Sequence, residues 1–221
     1  MLDMVEKVQK NNLLQAWLVL TLAFLFGMSL AGVQTVLGPV IEENKIRETM
    51  EKVPVVVLGE AEAAKIAHSG ASLGIEPSRI AVEKEGRTKF YNVYDAKFND
   101  GKRAGWVAKA SAQGYADKIE LLVGFDAAVE KITGLFILDQ KETPGLGNKI
   151  VEDQWRSQFT GKAVATALTV VKTGAKKTNE IDAISGATIS SDCVTRMINQ
   201  TIADLGEELK NRNTENQKGK E

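Results

Sequence analysis

The longest uninterrupted apolar run lies near the start of the chain. From Asn11 to Ile41 no residue carries a charge, and Leu13 to Val36 reads LLQAWLVLTLAFLFGMSLAGVQTV. About 20 apolar residues span the hydrocarbon core of a bilayer, so the run predicts one transmembrane helix, long enough to cross even when tilted. Two other readings compete. A signal peptide has a shorter apolar core, about 7–15 residues, although Ser29-Leu30-Ala31 is an acceptable small-x-small cleavage site. A buried core helix carries a polar stripe, and Gln15, Thr21, Ser29 and Gln34 are too few to make one. Lys7 and Lys10 flank one end and Lys45, Arg47 and Lys52 the other, so the positive-inside count leaves the orientation open.

Ile41–Val53 then shows helical charge pairs, Glu43 with Arg47 and Glu48 with Lys52, and Pro54 is a natural stop for that helix. Val55–Leu58 reads as a short strand, Glu60–His68 as a helix, and Ser69–Pro77 as a loop rich in Gly and Ser. A run of strands follows. Lys89–Phe98 and Arg103–Ala110 flank Asn99-Asp100-Gly101, a strong hairpin signal. Ile119–Phe125 and Lys131–Asp139 form a second pair; alternation places Leu135 and Ile137 on one face and Ile132, Phe136 and Leu138 on the other.

Glu142-Thr143-Pro144-Gly145-Leu146-Gly147 is a sharp loop, Asn148–Phe159 contains a short helix, and Ala163–Val171 reads as a strand. Val194, Met197, Ile198, Thr201, Ile202, Leu205 and Leu209 recur at helical spacing. The tail Asn211–Glu221 is polar and charged throughout and reads as disordered. The order is mixed rather than a regular βαβα series, which predicts an α+β domain: a mixed, largely antiparallel sheet with flanking helices behind one N-terminal transmembrane helix. The expected boundaries are an N-terminal flank at 1–10, an anchor at 11–40, the domain at 41–208 and the tail at 209–221.

Charge adds little: 28 basic and 29 acidic residues balance, which argues against a nucleic-acid partner. Cysteine and histidine counts exclude more. Cys193 is the only cysteine, so no internal disulfide or cysteine-bound iron–sulfur cluster can form, and with His68 the only histidine a Ser-His-Asp triad or histidine-rich metal site is poorly supported.

The most informative chemistry lies in Asp182-Ala183-Ile184-Ser185-Gly186-Ala187-Thr188, followed by Ile189-Ser190-Ser191. Gly186 tolerates positive φ and close backbone approach, and Ala187 adds little bulk beside the threonine hydroxyl. The final helix begins nearby, with Ser190 or Ser191 as its expected N-cap. A phosphate on Thr188 would then sit near unsatisfied N–H groups at the positive end of the helix dipole. A plain polar turn is the competing reading. Glu142 with Asp139 or Asp182 is a candidate carboxylate pair for an anchored hydrolase, and a scaffold without cofactor is a third possibility.

The Asp-x-x-Ser-Gly-Ala-Thr pattern resembles the site at which a flavin transferase links FMN through its phosphate to threonine. With the N-terminal anchor, Gly114-Tyr115 and the ETPGLG loop, about residues 10–205 resemble the FMN-binding G subunit of Rnf electron-transport complexes. A close relative is the C subunit of the sodium-pumping NADH:quinone reductase. The family often has Gly-Tyr-Gly-Gly, where this chain has Ala116-Asp117 after Gly114-Tyr115.

The resemblance implies covalent FMN on Thr188, with Ser185, Gly186 and Ala187 shaping the turn, Asp182 positioning it, and Ser190 and Ser191 at the helix start. Glu142, Thr143, Pro144, Gly145, Leu146, Gly147 and Tyr115 are then candidates to line the flavin. It further implies a redox carrier subunit, with A, B, C, D and E subunits as partners, in an ion-translocating ferredoxin:NAD+ oxidoreductase. The resemblance also implies a single pass through the cytoplasmic membrane, with the N-terminus inside and the FMN domain on the extracytoplasmic side.

Overall fold

The computed structural model describes residues 12–68, 73–84 and 86–218. Helix α1 spans Asn12–Leu58, and the chain divides into two compact units between Glu48 and Thr49, within that helix. In the first unit, Leu13, Trp17, Leu22, Phe24, Phe26 and Leu30 are all exposed. Among the described residues α1 is the one helix long and apolar enough to cross a membrane.

The second unit is built on a five-stranded antiparallel meander in the order β1-β2-β3-β4-β5. These strands are Gly74–Lys84, Arg87–Lys97, Arg103–Gln113, Lys118–Asp126 and Ile132–Asp139. Short 3-10 turns at Gly147–Val151 and Ser157–Phe159 bracket α3 (Asp153–Arg156). A small parallel pair follows, β6 (Thr169–Val171) with β7 (Glu180–Asp182), and then α4 (Thr188–Lys218). This is the α+β architecture that the mixed element order predicts.

Both faces of the sheet are apolar because alternate residues of β2, β3 and β4 are hydrophobic in both phases. Tyr91, Val93, Trp106, Ala108, Leu121, Val123 and Phe125 pack with Val194, Ile198, Leu205 and Leu209 of α4. Tyr94, Ala96, Val107 and Leu122 pack with Val53, Val56 and Val57 at the end of α1.

That second layer overturns the expected stop at Pro54 and the expected strand at Val55–Leu58. A proline inside a helix costs about 3 kcal/mol, whereas each fully buried valine gains about 1.5–3 kcal/mol. With Val53, Val56 and Val57 all less than 5% exposed, packing outweighs the proline. The helix ends instead at Gly59, whose φ is +81° and whose N–H reaches the Val55 carbonyl at 2.8 Å. This is the αL termination that glycine favours. Helix α2 (Glu60–His68) follows as predicted.

Three glycines let the end of α1 sit against the sheet. A Cβ at Gly105 would lie 3.0 Å from Val57 Cγ1, and one at Gly124 or Gly134 would lie 2.6 or 2.7 Å from the Val56 carbonyl oxygen. That carbonyl belongs to the last helical turn, where carbonyls lack intrahelical partners. The Thr133 hydroxyl donates to it at 2.9 Å.

Other departures from the sequence reading have local causes. The expected loop at Ser69–Pro77 lies partly outside the described residues, and from Gly74 onward it is strand β1. Among the described residues this is an edge strand, paired only with β2. Pro77 is tolerated there because no further strand needs its missing N–H. Ile132 lies on the α4 face with Leu135 and Ile137, not with Phe136 and Leu138. The β4–β5 register shifts between Gly124 and Phe125, which resets the alternation.

Of Ala163–Val171, only Thr169–Val171 is strand; Ala163 makes an isolated bridge to Lys131. Helix α4 continues past the expected boundary at residue 209 to Lys218. Leu209 is fully buried, and Asn213 accepts a 2.7 Å hydrogen bond from Arg103.

Asp204 ties α4 to the edge of the sheet. Its carboxylate accepts from Tyr91 at 2.6 Å, Gln200 at 2.7 Å and Lys84 at 3.2 Å. Burial raises the Asp204 pKa, but these hydrogen bonds outweigh burial and hold it below the ordinary aspartate range. Stabilisation of this kind is present above the unfolded-state value of about 3.9 and is lost as pH falls through the lower folded value. Asp204→Asn is therefore expected to lower unfolding free energy by about 1–2 kcal/mol at pH 7, with the difference from wild type shrinking below about pH 4. Denaturant melts across pH check this. Gly134→Ala is expected to cost about 1–3 kcal/mol by overpacking against Val56, read from the same melts.

Candidate functional site

Two glycine-dependent turns face each other at one end of the sheet. In the first, the Thr143 carbonyl accepts from Leu146 N at 3.1 Å and Gly145 has φ +77°. Proline at the second position and a positive-φ glycine at the third are the requirements of a type II turn, which Thr143-Pro144-Gly145-Leu146 meets. In the second, the Ile184 carbonyl accepts from Ala187 N at 2.9 Å and Gly186 also has φ +77°. A Cβ at Gly186 would lie 2.9 Å from Leu146 Cδ2, so this glycine supplies both backbone conformation and room for the opposing turn.

Helix α4 starts directly after the second turn, with Thr188 as its first residue. The Ala187 carbonyl accepts the Ser191 N–H at 3.1 Å, which makes Ala187 the N-cap. The expected cap at Ser190 or Ser191 is thus corrected: both lie inside the helix and are buried. Ser191 Oγ instead donates to the Ala187 carbonyl and accepts from Ile184 N, each at 3.0 Å. The serine stitches the turn to the helix. The side chain of Thr188 is exposed, and no acidic residue lies in the first turn of α4. The N–H groups of that turn have no intrahelical acceptor and carry the positive end of the helix dipole.

Between these turns and the β3–β4 connection lies a cavity of about 520 Å³, a size that accommodates a small-molecule cofactor. It brings together Tyr115, Glu142, Thr143, Leu146, Gly147, Gly186, Ala187, Thr188 and Ser190 from the sequence reading. It also includes Ile189, which the sequence reading did not single out. An apolar residue next to the threonine, 56% exposed in a helical first turn, is the signal that marks it.

The remaining candidates stand outside the cavity lining. Pro144 and Gly145 are exposed in their turn, Ser185 is exposed in the other, and Ser191 faces the core. Asp182 belongs to β7 and supports the fold. Its carboxylate accepts from Ala175 N at 2.8 Å, and its carbonyl accepts from Trp155 Nε1 at 2.9 Å.

Glu142 is 4% exposed and, among the described residues, is the only charged one lining the cavity. Its oxygens accept from Ala116 N at 3.0 Å and from the Ser190 hydroxyl at 2.5 Å. Neither Asp139 nor Asp182 lines the cavity with it. Cys193 is buried, and its thiol donates to the Gln113 carbonyl at 3.1 Å. Burial pushes the thiol pKa up, away from a reactive thiolate.

Residues 114–203 match the FMN-binding domain family, a span that runs from the β3–β4 connection into α4. The chain is 41% identical over 127 residues to the G subunit of the Na(+)-translocating ferredoxin:NAD(+) oxidoreductase complex of Acetobacterium woodii, covering 57% of this chain and 59% of the relative. It is 38% identical over 104 residues to the G subunit of the proton-translocating ferredoxin:NAD(+) oxidoreductase complex of Clostridium ljungdahlii, covering 47% and 55%. The matches thus span less than two thirds of the length of these relatives. Shewanella oneidensis NqrC has the same fold at 18% identity, with a TM-score of 0.62 over 78% of this chain and 99% of that one. Residues 114–203 thus match the FMN-binding domain family, in a chain similar to the G subunits of ion-translocating ferredoxin:NAD(+) oxidoreductase complexes.

Proposed function

We propose that this chain is a membrane-anchored electron carrier that holds FMN as a phosphoester on Thr188. The observation that carries the reading is the placement of Thr188: exposed, first in α4, and facing a cavity between two glycine turns. The residues fit the group. The first-turn N–H groups and the dipole of α4 suit a phosphate, Gly186 keeps the approach to the hydroxyl open, and Leu146, Ile189 and Tyr115 offer apolar surface.

The Thr188 hydroxyl oxygen would form the new O–P bond at the flavin phosphate of a flavin–nucleotide donor, held by a maturation transferase. The donor's phosphoanhydride bond breaks, nucleoside monophosphate leaves, and the hydroxyl proton passes to solvent or the transferase. Bound FMN supplies one- and two-electron redox chemistry, and the protein's part is binding, orientation and exclusion of water. No side chain of this site is required as a catalytic base for that role.

The similar G subunits belong to complexes named for electron transfer between ferredoxin and NAD+ and for Na+ or proton translocation. We assign this chain the same setting: a subunit of an Rnf-type complex, partnered by its other subunits. The apolar stretch of α1 supports a single-pass anchor. We assign the FMN domain to the extracytoplasmic side of the cytoplasmic membrane, as the family resemblance implies.

Protein co-expressed with a flavin transferase is expected to keep flavin fluorescence after denaturing electrophoresis and to gain the mass of one FMN residue. Thr188→Val is expected to lose both. Wild-type protein without the mass increase overturns the reading. Fluorescence persisting in Thr188→Val points to Ser185, since Ser190 and Ser191 are buried.

A further inference from the structure

Burying a carboxylate is costly unless its oxygens are hydrogen-bonded, and Glu142 is buried without a basic side chain among the residues that line its cavity. Its two oxygens are divided between two separate segments: Oε1 takes the Ala116 N–H of the β3–β4 connection, and Oε2 takes the Ser190 hydroxyl of α4. Its own backbone N–H donates to Gln140 Oε1 at 2.7 Å. The chain makes room for the carboxylate on two sides. A Cβ at Gly114 would lie 2.4 Å from Oε1, and a Cβ at Gly147 would lie 2.7 Å from both Oε2 and Ser190 Oγ. Neither glycine has positive φ, so the space they leave, not backbone conformation, is what a side chain there would cost.

We propose that Glu142 is a positioning residue: by joining the β3–β4 connection to the first turn of α4, it fixes the direction in which Thr188 presents its hydroxyl. This rests on the reading of Thr188 as the FMN acceptor. Ser190 stands two residues after Thr188 in the same helical turn. Holding its hydroxyl therefore fixes the rotation of the first turn of a helix that has no capping side chain at Ala187, in addition to the bonds Ser191 makes to Ile184 and Ala187. A fully satisfied buried polar network of this kind selects one arrangement over its neighbours.

The test uses full-length protein co-expressed with the flavin transferase, with wild type as reference and Glu142→Ala, Glu142→Gln and Ser190→Ala as variants. Attached FMN is read by intact mass over time, and amide hydrogen exchange across residues 186–192 is read on protein made without the transferase. Glu142→Ala is expected to load at least tenfold more slowly and to exchange at least tenfold faster in the first turn of α4. Glu142→Gln keeps the shape and can bond both partners, so it is expected to stay within about twofold of wild type. Ser190→Ala removes only the α4 end of the tether and is expected to lie between them, which covers the case in which Glu142→Ala does not fold.

Glu142→Ala or Ser190→Ala, folded and indistinguishable from wild type in both readouts, overturns the proposal. So does Glu142→Gln behaving like Glu142→Ala, which would make charge rather than tethering the requirement. Absence of FMN from wild type itself overturns the Thr188 reading instead. The exchange comparison still decides the role of Glu142 in that case.

Discussion

A sheet that is apolar on both faces must be covered twice, and this domain covers it with the last turns of α1 and with α4. The direction of α4 follows from where its ends are tied. Near its start, the Cys193 thiol donates to Gln113 at the end of β3; near its other end, Asn213 accepts from Arg103 at the beginning of β3. The lengths agree: twenty helical residues rise about 30 Å, and ten strand residues extend about 33 Å. Helix α4 therefore runs antiparallel to β3 between Cys193 and Asn213, along the length of the strand. Its N-terminus has to emerge where the β3–β4 connection and the chain leaving β5 also emerge, and the cavity is what these three ends enclose.

The strands that carry this arrangement were legible because they are strongly apolar and punctuated by turn residues, as Asn99-Asp100-Gly101 shows. Edge strand β1 was not, since only Ile80 among its residues is buried and Pro77 and its charges imitate a loop. The run of α1 through Pro54 was hidden for the opposite reason. Proline is a local signal, and the burial of Val53, Val56 and Val57 that overrides it depends on a sheet face formed later in the chain. The shift of Ile132 to the α4 face likewise comes from a register change in pairing with β4, which alternation within one strand does not encode.

At the candidate site, both turns were legible because Pro-Gly and Ser-Gly-Ala patterns declare their backbone requirements, while the other residues that line the cavity were named through the family resemblance. What the sequence reading missed is relational. Gly147 reads as a second turn glycine, yet it serves to admit the Glu142 carboxylate. Ser190 and Ser191 read as capping residues, yet they are fastened to a loop 48 residues earlier and to the preceding turn, respectively. Each of these roles depends on a partner that only the tertiary fold brings close.

The helix start itself shows how such long-range bonds replace local ones. A Ser, Thr, Asp or Asn at the N-cap of α4 would contribute about 0.5–2 kcal/mol relative to alanine by accepting from a first-turn N–H. Ala187 forgoes that contribution, and no acidic side chain stands in the first turn to complement the dipole. The turn is secured from elsewhere: Ser191 binds back to Ile184 and Ala187, and Ser190 binds Glu142. Neither serine tether uses the N–H group of Thr188 or Ile189. A capping side chain at Ala187 would occupy an N–H that the proposed phosphate on Thr188 would use, whereas bonds made through the buried face of α4 hold its first turn without using the N–H groups of Thr188 and Ile189.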